Sequence, residues 1–249
     1  MTSVVRITAG ALYLLAAMIF LLSRDCRAEE ITFQSKPTRT HLIELYTSEG
    51  CSSCPPAEAW LSKLKDQPGL WRDFVAVAFH VDYWDYLGWR DPFASKAWTA
   101  RQYQYSAGWK NSNVYTPGFV LDGREWRDHE LPSASSETSG TLKVAAIDLN
   151  KVKATFQPTA AGKSLQIHVA KLGFGLSTNV KAGENSGRKL LHDFVVLSLN
   201  DAPISSGQTE VLLDTKVLAQ VSDARLAIAA WITESGRSEP IQAVGGWLR

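Results

Sequence analysis

Cys51 and Cys54, set as Cys51-Ser52-Ser53-Cys54, are the residues whose type and spacing most directly allow chemistry in this chain. Two thiols at that spacing can close into a small disulfide ring and reopen, and a helix beginning beside them favours the thiolate that attacks in exchange. Cys51, at the mouth of the turn, is the expected attacking thiolate, and Cys54, one helical turn inward, the thiol that resolves a mixed disulfide. The same sulfurs could form a permanent structural disulfide, or join His80 in holding a soft metal such as copper(I) or zinc. No histidine lies inside the motif and Ser52 and Ser53 carry no charge, so only a modest depression of the Cys51 pKa is expected.

Other groups could serve these thiols. Glu44, between Ile43 and Leu45, could accept the proton of the second cysteine, or be a solvated strand-edge glutamate. His80 and Asp82 are two apart and point the same way, as metal ligands or as a strand-end hydrogen-bonding pair. Tyr83, Trp84, Tyr86 and Trp89 read as core and lid packing that could also line a groove for a peptide or another apolar ligand. Glu184, Asn185 and Arg188, flanked by Gly183 and Gly187, read as a tight turn, or as an inter-domain contact or ligand clamp facing the cysteine site, where Arg188 could pair with a carboxylate. His41, His129, His168 and His192 show no mutual metal spacing and read as structural or surface residues.

The elements that must position the thiols are legible nearby. Leu42 to Thr47 reads as a strand, and Pro55 to Leu64 as a helix, with Trp60, Leu61 and Leu64 on one face. A strand, a C-x-x-C turn and a helix make the thioredoxin-like redox signature. Phe74 to Val81 is a nearly unbroken apolar run, as in a strand buried on both faces. Asp91 and Pro92 can start a helix reaching about Ser106, and Val114 to Leu121 reads as a strand ending in an Asp122-Gly123 hairpin turn. Residues 131–140 are polar and rich in breakers, which marks a linker. Beyond it come short strand patterns at Leu142–Ile147, Val152–Phe156, Leu165–Leu172, Leu190–Leu199, Val217–Val221 and Leu226–Thr233, which suggest a β-sandwich. The expected fold is thus an α/β thioredoxin-like domain over 38–130, followed by a mainly β, sandwich-like domain over 141–249.

Arg6 precedes an apolar stretch from Ala9 to Leu22, and Cys26-Arg27-Ala28 offers small residues where a signal peptidase reads. Residues 1–28 therefore read as a signal peptide, with an uncleaved membrane anchor as the alternative. Cleavage after Ala28 leaves 221 of the 249 residues, moves the formal net charge from +1 to −1, and keeps only Cys51 and Cys54 of the three cysteines. No basic stripe argues for nucleic acid. The expected location is periplasmic or extracellular, with membrane contact only if the leader stays.

The run Glu44-Leu45-Tyr46-Thr47-Ser48-Glu49-Gly50-Cys51-Ser52-Ser53-Cys54-Pro55-Pro56-Ala57, then Phe79 to Trp84, Tyr115-Thr116-Pro117 and Asp122-Gly123, resembles a family of exported bacterial thioredoxin-like proteins whose function is unassigned. Its members also tend to carry a Gly-Glu-Asn-x-Gly-Arg element, here Gly183 to Arg188. The resemblance implies that Thr116-Pro117 is a cis-proline peptide packed beside the cysteines. The function expected from all this is thiol-disulfide oxidoreduction on a protein or small thiol, with a redox partner protein and no cofactor. Cys51, Cys54, Glu44 and Pro117 are the candidate catalytic residues and Thr116, Tyr83 and Trp84 the candidate substrate contacts. A metallochaperone using Cys51, Cys54 and His80, or a binding module with a stable disulfide, are the alternatives.

Overall fold

The computed structural model describes residues 30–109, 113–159, 162, 164–214 and 224–248. The expected leader over 1–28 and the expected strand over 217–221 lie outside these residues. Among the described residues there are fourteen strands and two α-helices, and no helix is long and apolar enough to cross a membrane.

The first half is organised by β2 (His41–Thr47) and β3 (Phe74–His80), which run parallel with Leu45 opposite Ala78. Every residue of β3 is buried, as its apolar run requires. Between them lies α1 (Cys54–Ser62), with Pro55 and Pro56 in its first turn, where a missing N–H breaks no helical bond. β4 (Gly118–Leu121) pairs antiparallel with β2 and turns through Asp122 and Gly123, at φ +49° and +81°, into β5 (Arg124–Glu125). Two left-handed residues in a row are what a tight hairpin needs, which is why Asp-Gly stands there. The second helix, α2 (Lys96–Gly108), starts later than the expected Asp91-Pro92. Ser95 caps it by accepting from the Ala97 N–H at 3.2 Å, because the Asp91 carboxylate is committed to His80 and to the N–H groups of Glu49 and Phe93.

The second half supplies β8 (Leu165–Phe174), β9 (Leu176–Asn179), β10 (Lys189–His192), β11 (Val195–Ile204), β13 (Arg225–Glu234) and β14 (Pro240–Trp247). The strand pattern read over 190–199 is two strands, separated at Asp193 and Phe194, where φ is +61° at Phe194. A separate four-stranded sheet, in the order β1 (Ile31–Gln34), β6 (Thr141–Ala146), β7 (Lys151–Gln157), β12 (Gln208–Leu212), covers one face of these strands. β9 and β10 form a small hairpin of their own.

These findings correct the expected fold class. The chain is mostly β, and the strand–turn–helix unit is not an α/β thioredoxin-like domain with its own central sheet flanked by helices. β3 pairs with β11, and one eight-stranded sheet runs β14-β13-β8-β11-β3-β2-β4-β5 through both halves. The reason lies in β3, which is buried along its whole length, so the backbone N–H and C=O groups on both of its edges need a strand to pair with. β13 shows how the halves share a core. Ala227, Ala229 and Trp231 face the cluster that holds Leu45 and Phe79, while Ile228, Ala230 and Ile232 face Leu142, Val152 and Phe156 of the four-stranded sheet.

The start of β2 is tied to the β4–β5 turn by Asp122, whose carboxylate accepts from the Leu42 N–H at 2.9 Å and lies 2.5 Å from His41 Nδ1. That bond outweighs partial burial and raises the His41 pKa above the usual value. Its contribution to stability is therefore fully present below about pH 6.5 and is lost as pH rises through the raised folded value. For a pair this close to the surface the loss is below about 1 kcal/mol. In urea titrations from pH 6 to 9, the stability difference between wild type and His41→Gln should shrink as pH rises. Parallel curves would remove this pair from the account.

Candidate functional site at the Cys51-Cys54 turn

β2 ends at Thr47 and the chain turns through residues 48–53 into α1. The Cys51 N–H donates to the Ser48 carbonyl and the Cys54 N–H to the Cys51 carbonyl, both at 3.2 Å, which winds the two cysteines toward each other. Their sulfurs are at disulfide distance, with Cα atoms 5.5 Å apart. Both cysteines are buried, at 1% and 0% exposure, whereas Ser52 and Ser53 between them are exposed. Cys51 Sγ lies 3.2 Å from Ser53 Oγ and 3.7 Å from the Thr116 carbonyl. The Thr116–Pro117 peptide is cis.

The candidate contact residues gather here. Trp84 Nε1 donates to Thr116 Oγ1 at 2.7 Å, and Trp84 packs on Gly50, where a Cβ would stand 2.8 Å from its own Cβ. Only glycine permits that approach immediately before Cys51. Tyr83 is one step removed, donating to Gln102 Oε1 at 3.2 Å while Gln102 Nε2 holds the Tyr115 carbonyl at 2.7 Å.

The loop joining β9 to β10 closes the turn from the other side, as a tight turn and as a contact between the two halves of the chain. It is a tight turn, with Ser186 N–H bonded to the Gly183 carbonyl and Gly187 N–H to that of Val180. It is also a clamp: Asn185, fully buried, donates through Nδ2 to the carbonyls of Glu49 and Cys51, each at 2.9 Å, and Glu184 accepts from the Ser52 N–H at 2.8 Å. The bond from Ser52 lowers the Glu184 pKa. Arg188 does not pair with a carboxylate as expected; it donates to Asn185 Oδ1 at 2.6 Å and so fixes which way that amide faces.

Glu44 is placed away from both sulfurs. Successive side chains of β2 point to opposite faces, so Thr47 reaches Glu58 on α1 while Glu44 and Tyr46 face α2. There the Glu44 carboxylate accepts from Arg101 Nε at 2.8 Å and Nη2 at 3.0 Å, from Tyr46 Oη at 3.1 Å, and from Tyr105 Oη. Burial and this carboxylate raise the pKa values of Tyr46 and Tyr105; burial of Arg101 is outweighed by Glu44, which holds the guanidinium charged. Glu44 makes no bond to either cysteine, which counts against the expected proton-accepting role.

The α1 side of the turn carries a buried set of charges. His192 Nδ1 lies 2.5 Å from Glu58 and Nε2 3.0 Å from Glu49, and Trp89 Nε1 donates to the other Glu49 oxygen at 2.6 Å. Burial works against a charged ring at His192, but the two carboxylates prevail and push its pKa up to about 10. Burial would likewise raise Glu58, yet His192 and His80 bring it below the usual range. His80 Nδ1 lies 2.7 Å from Asp91, and that carboxylate overcomes burial to raise the ring's pKa. Asp82 is elsewhere, accepting from Thr99 Oγ1 at 2.6 Å, so His80 and Asp82 do not act as a pair. The expected metal set of Cys51, Cys54 and His80 is not assembled either: the sulfurs face each other, and the donors grouped with His80 are Glu58 and His192.

His192 was legible only as a structural or surface residue. The available signal was its phase: in β10 it shares the buried face with Leu190, while Lys189 and Leu191 face outward.

The sequence pattern of a family described as a protein of unknown function, DUF1223, matches residues 42–233, a span holding Glu44, both cysteines and the Glu184–Arg188 clamp. The chain belongs to that family. A crystal structure of protein AGR_C_4864 from Agrobacterium tumefaciens is similar at 25% identity and a TM-score of 0.58, over 85% of this chain and 94% of that one. HBP35 of Porphyromonas gingivalis shares the fold at 13% identity and a TM-score of 0.53, over 85% of this chain and 76% of that one. No curated protein matches the chain.

Proposed function

We propose that this chain performs thiol-disulfide exchange through Cys51 and Cys54 on a protein or small-molecule thiol, after export from the cytoplasm. The observation that carries the reading is the pair of sulfurs at disulfide distance at the start of α1, with exposed Ser52 and Ser53 between them. A substrate thiolate attacks Cys51 Sγ, the Cys51–Cys54 bond breaks, and its electron pair leaves on Cys54, which takes up a proton. The substrate's second thiolate then attacks the substrate sulfur of the mixed disulfide and releases Cys51 as thiolate. The substrate is oxidised by two electrons, the protein is left as a dithiol, and reversal reduces a substrate disulfide.

Pro55 and Pro56 remove N–H donors from the first turn of α1, and Glu184 occupies the Ser52 N–H with a negative charge. Both features weaken the pull of the helix terminus on a sulfur anion. The Thr116 carbonyl and Trp84 flank Cys51 as groups a bound peptide would meet.

Burial of both sulfurs supports a second reading, a permanent disulfide in a binding module. Equilibration of the purified protein against glutathione buffers separates the two. A reduction potential between about −120 and −270 mV is expected for an exchange catalyst, whereas a value below about −300 mV would replace this proposal with the structural disulfide.

A further inference from the structure

We propose that Glu58, His80 and His192 form a Zn²⁺ site behind the cysteine turn. One donor atom from each of the three residues lies within 4.8 Å of the others, and all three residues are buried. Zinc bonds of about 2.0–2.2 Å set tetrahedral donors roughly 3.3 Å apart, so small side-chain rotations would close the set. An independent observation points the same way. His80 Nδ1 is taken by Asp91, and Nε2, on the far side of the ring, is buried without any hydrogen-bond partner. Buried polar atoms are nearly always satisfied, and a carboxylate on one imidazole nitrogen is the arrangement that orients the other toward a metal.

The donor chemistry selects the ion. Two imidazoles with carboxylates and no thiolate suit Zn²⁺ rather than copper(I) or a hard alkaline-earth cation. Phe93 packs on both rings, at 5.5 Å from His80 and 5.6 Å from His192, and walls the donors on one side. Glu58 also lines an open groove with Pro55, Ala59 and Leu190, which provides a route of entry. On binding, each ring coordinates as neutral imidazole and gives one proton to solvent; Zn²⁺ would take the place of the His192 proton facing Glu58, while the opposite ring nitrogen keeps its hydrogen toward Glu49 and orients the ligand. The ion would tie α1 and β3 to the end of β10. Neither cysteine is a ligand, so the site stands or falls independently of thiol exchange.

The test uses chelator-treated protein with its disulfide intact, titrated with Zn²⁺ by calorimetry at pH 8 while the imidazole ¹⁵N signals of all five histidines are followed. One equivalent should bind, with the His80 and His192 ring signals moving and those of His41, His129 and His168 unchanged. His80→Gln should weaken binding at least about 100-fold, and a Cys51→Ser/Cys54→Ser double variant should bind as wild type. Unmoved His80 and His192 signals at saturating Zn²⁺, or loss of the equivalent in the double-serine variant, would overturn the site. If His80→Gln does not fold, the ring signals of the unsubstituted protein decide.

Discussion

Arg101→Met should destabilise the protein by about 3–5 kcal/mol, the cost of leaving one member of a buried ion pair without its partner. Arg101 makes both guanidinium bonds to Glu44 and lies over the rings of Phe79, Tyr105 and Trp231, with its central carbon 5.1–5.4 Å from their centroids. Methionine keeps much of the apolar stem but strands a fully buried carboxylate against two phenols. Urea unfolding of the variant would measure the loss. A Glu44→Met/Arg101→Met double variant should recover a large part of it, since no charge then remains to be desolvated. A loss under about 1 kcal/mol for Arg101→Met alone would overturn the ion-pair description. Glu44→Gln should also leave exchange kinetics nearly unchanged across pH, because this carboxylate serves α2 rather than the cysteines.

Cys54→Ser should accumulate a mixed disulfide with glutathione, and Cys51→Ser should form at least about tenfold less, because Cys51 lies at the mouth of the turn and Cys54 inside the helix. Cys51 sits in the loop beside exposed Ser52 and faces the Thr116 carbonyl, whereas Cys54 lies within the first turn of α1. A thiol captured on Cys51 has no internal thiol left to displace it once Cys54 is serine. Intact-mass spectra of the two variants after exposure to oxidised glutathione give the ratio. Equal adducts on both, or none on either, would remove Cys51 as the attacking group.

Much of the cysteine turn could be read locally. The strand before it, the helix after it and the Asp122-Gly123 hairpin depend on side-chain periodicity, on prolines in a first turn and on residues that tolerate positive φ, all of which act within a few positions. The clamp loop showed its turn residues, Gly183 and Gly187, and its polar groups. That Asn185 spends its amide on the carbonyls of Glu49 and Cys51 could not be read, because those carbonyls arrive from a distant part of the chain. The surroundings of Glu44 could not be read for a related reason. Its place in β2 was clear, but which helix covers which face of the strand depends on where α1 and α2 pack, and a two-residue alternation cannot say that by itself.

The residue pattern alone determined the closely spaced cysteine pair, the elements immediately flanking it and the breaker-rich stretch between the halves, since each arises from short-range preferences. Tertiary structure decided the rest. β3 is buried along its whole length, so the backbone groups of its second edge are paired by β11 from the second half, and a single sheet replaces an independent α/β domain. The same joining carries β10 against α1 and brings His192 between Glu49 and Glu58 beside His80. Residues so far apart in the chain carry no mutual spacing signal; they meet because burying both faces of a continuous sheet leaves their elements only one place to pack.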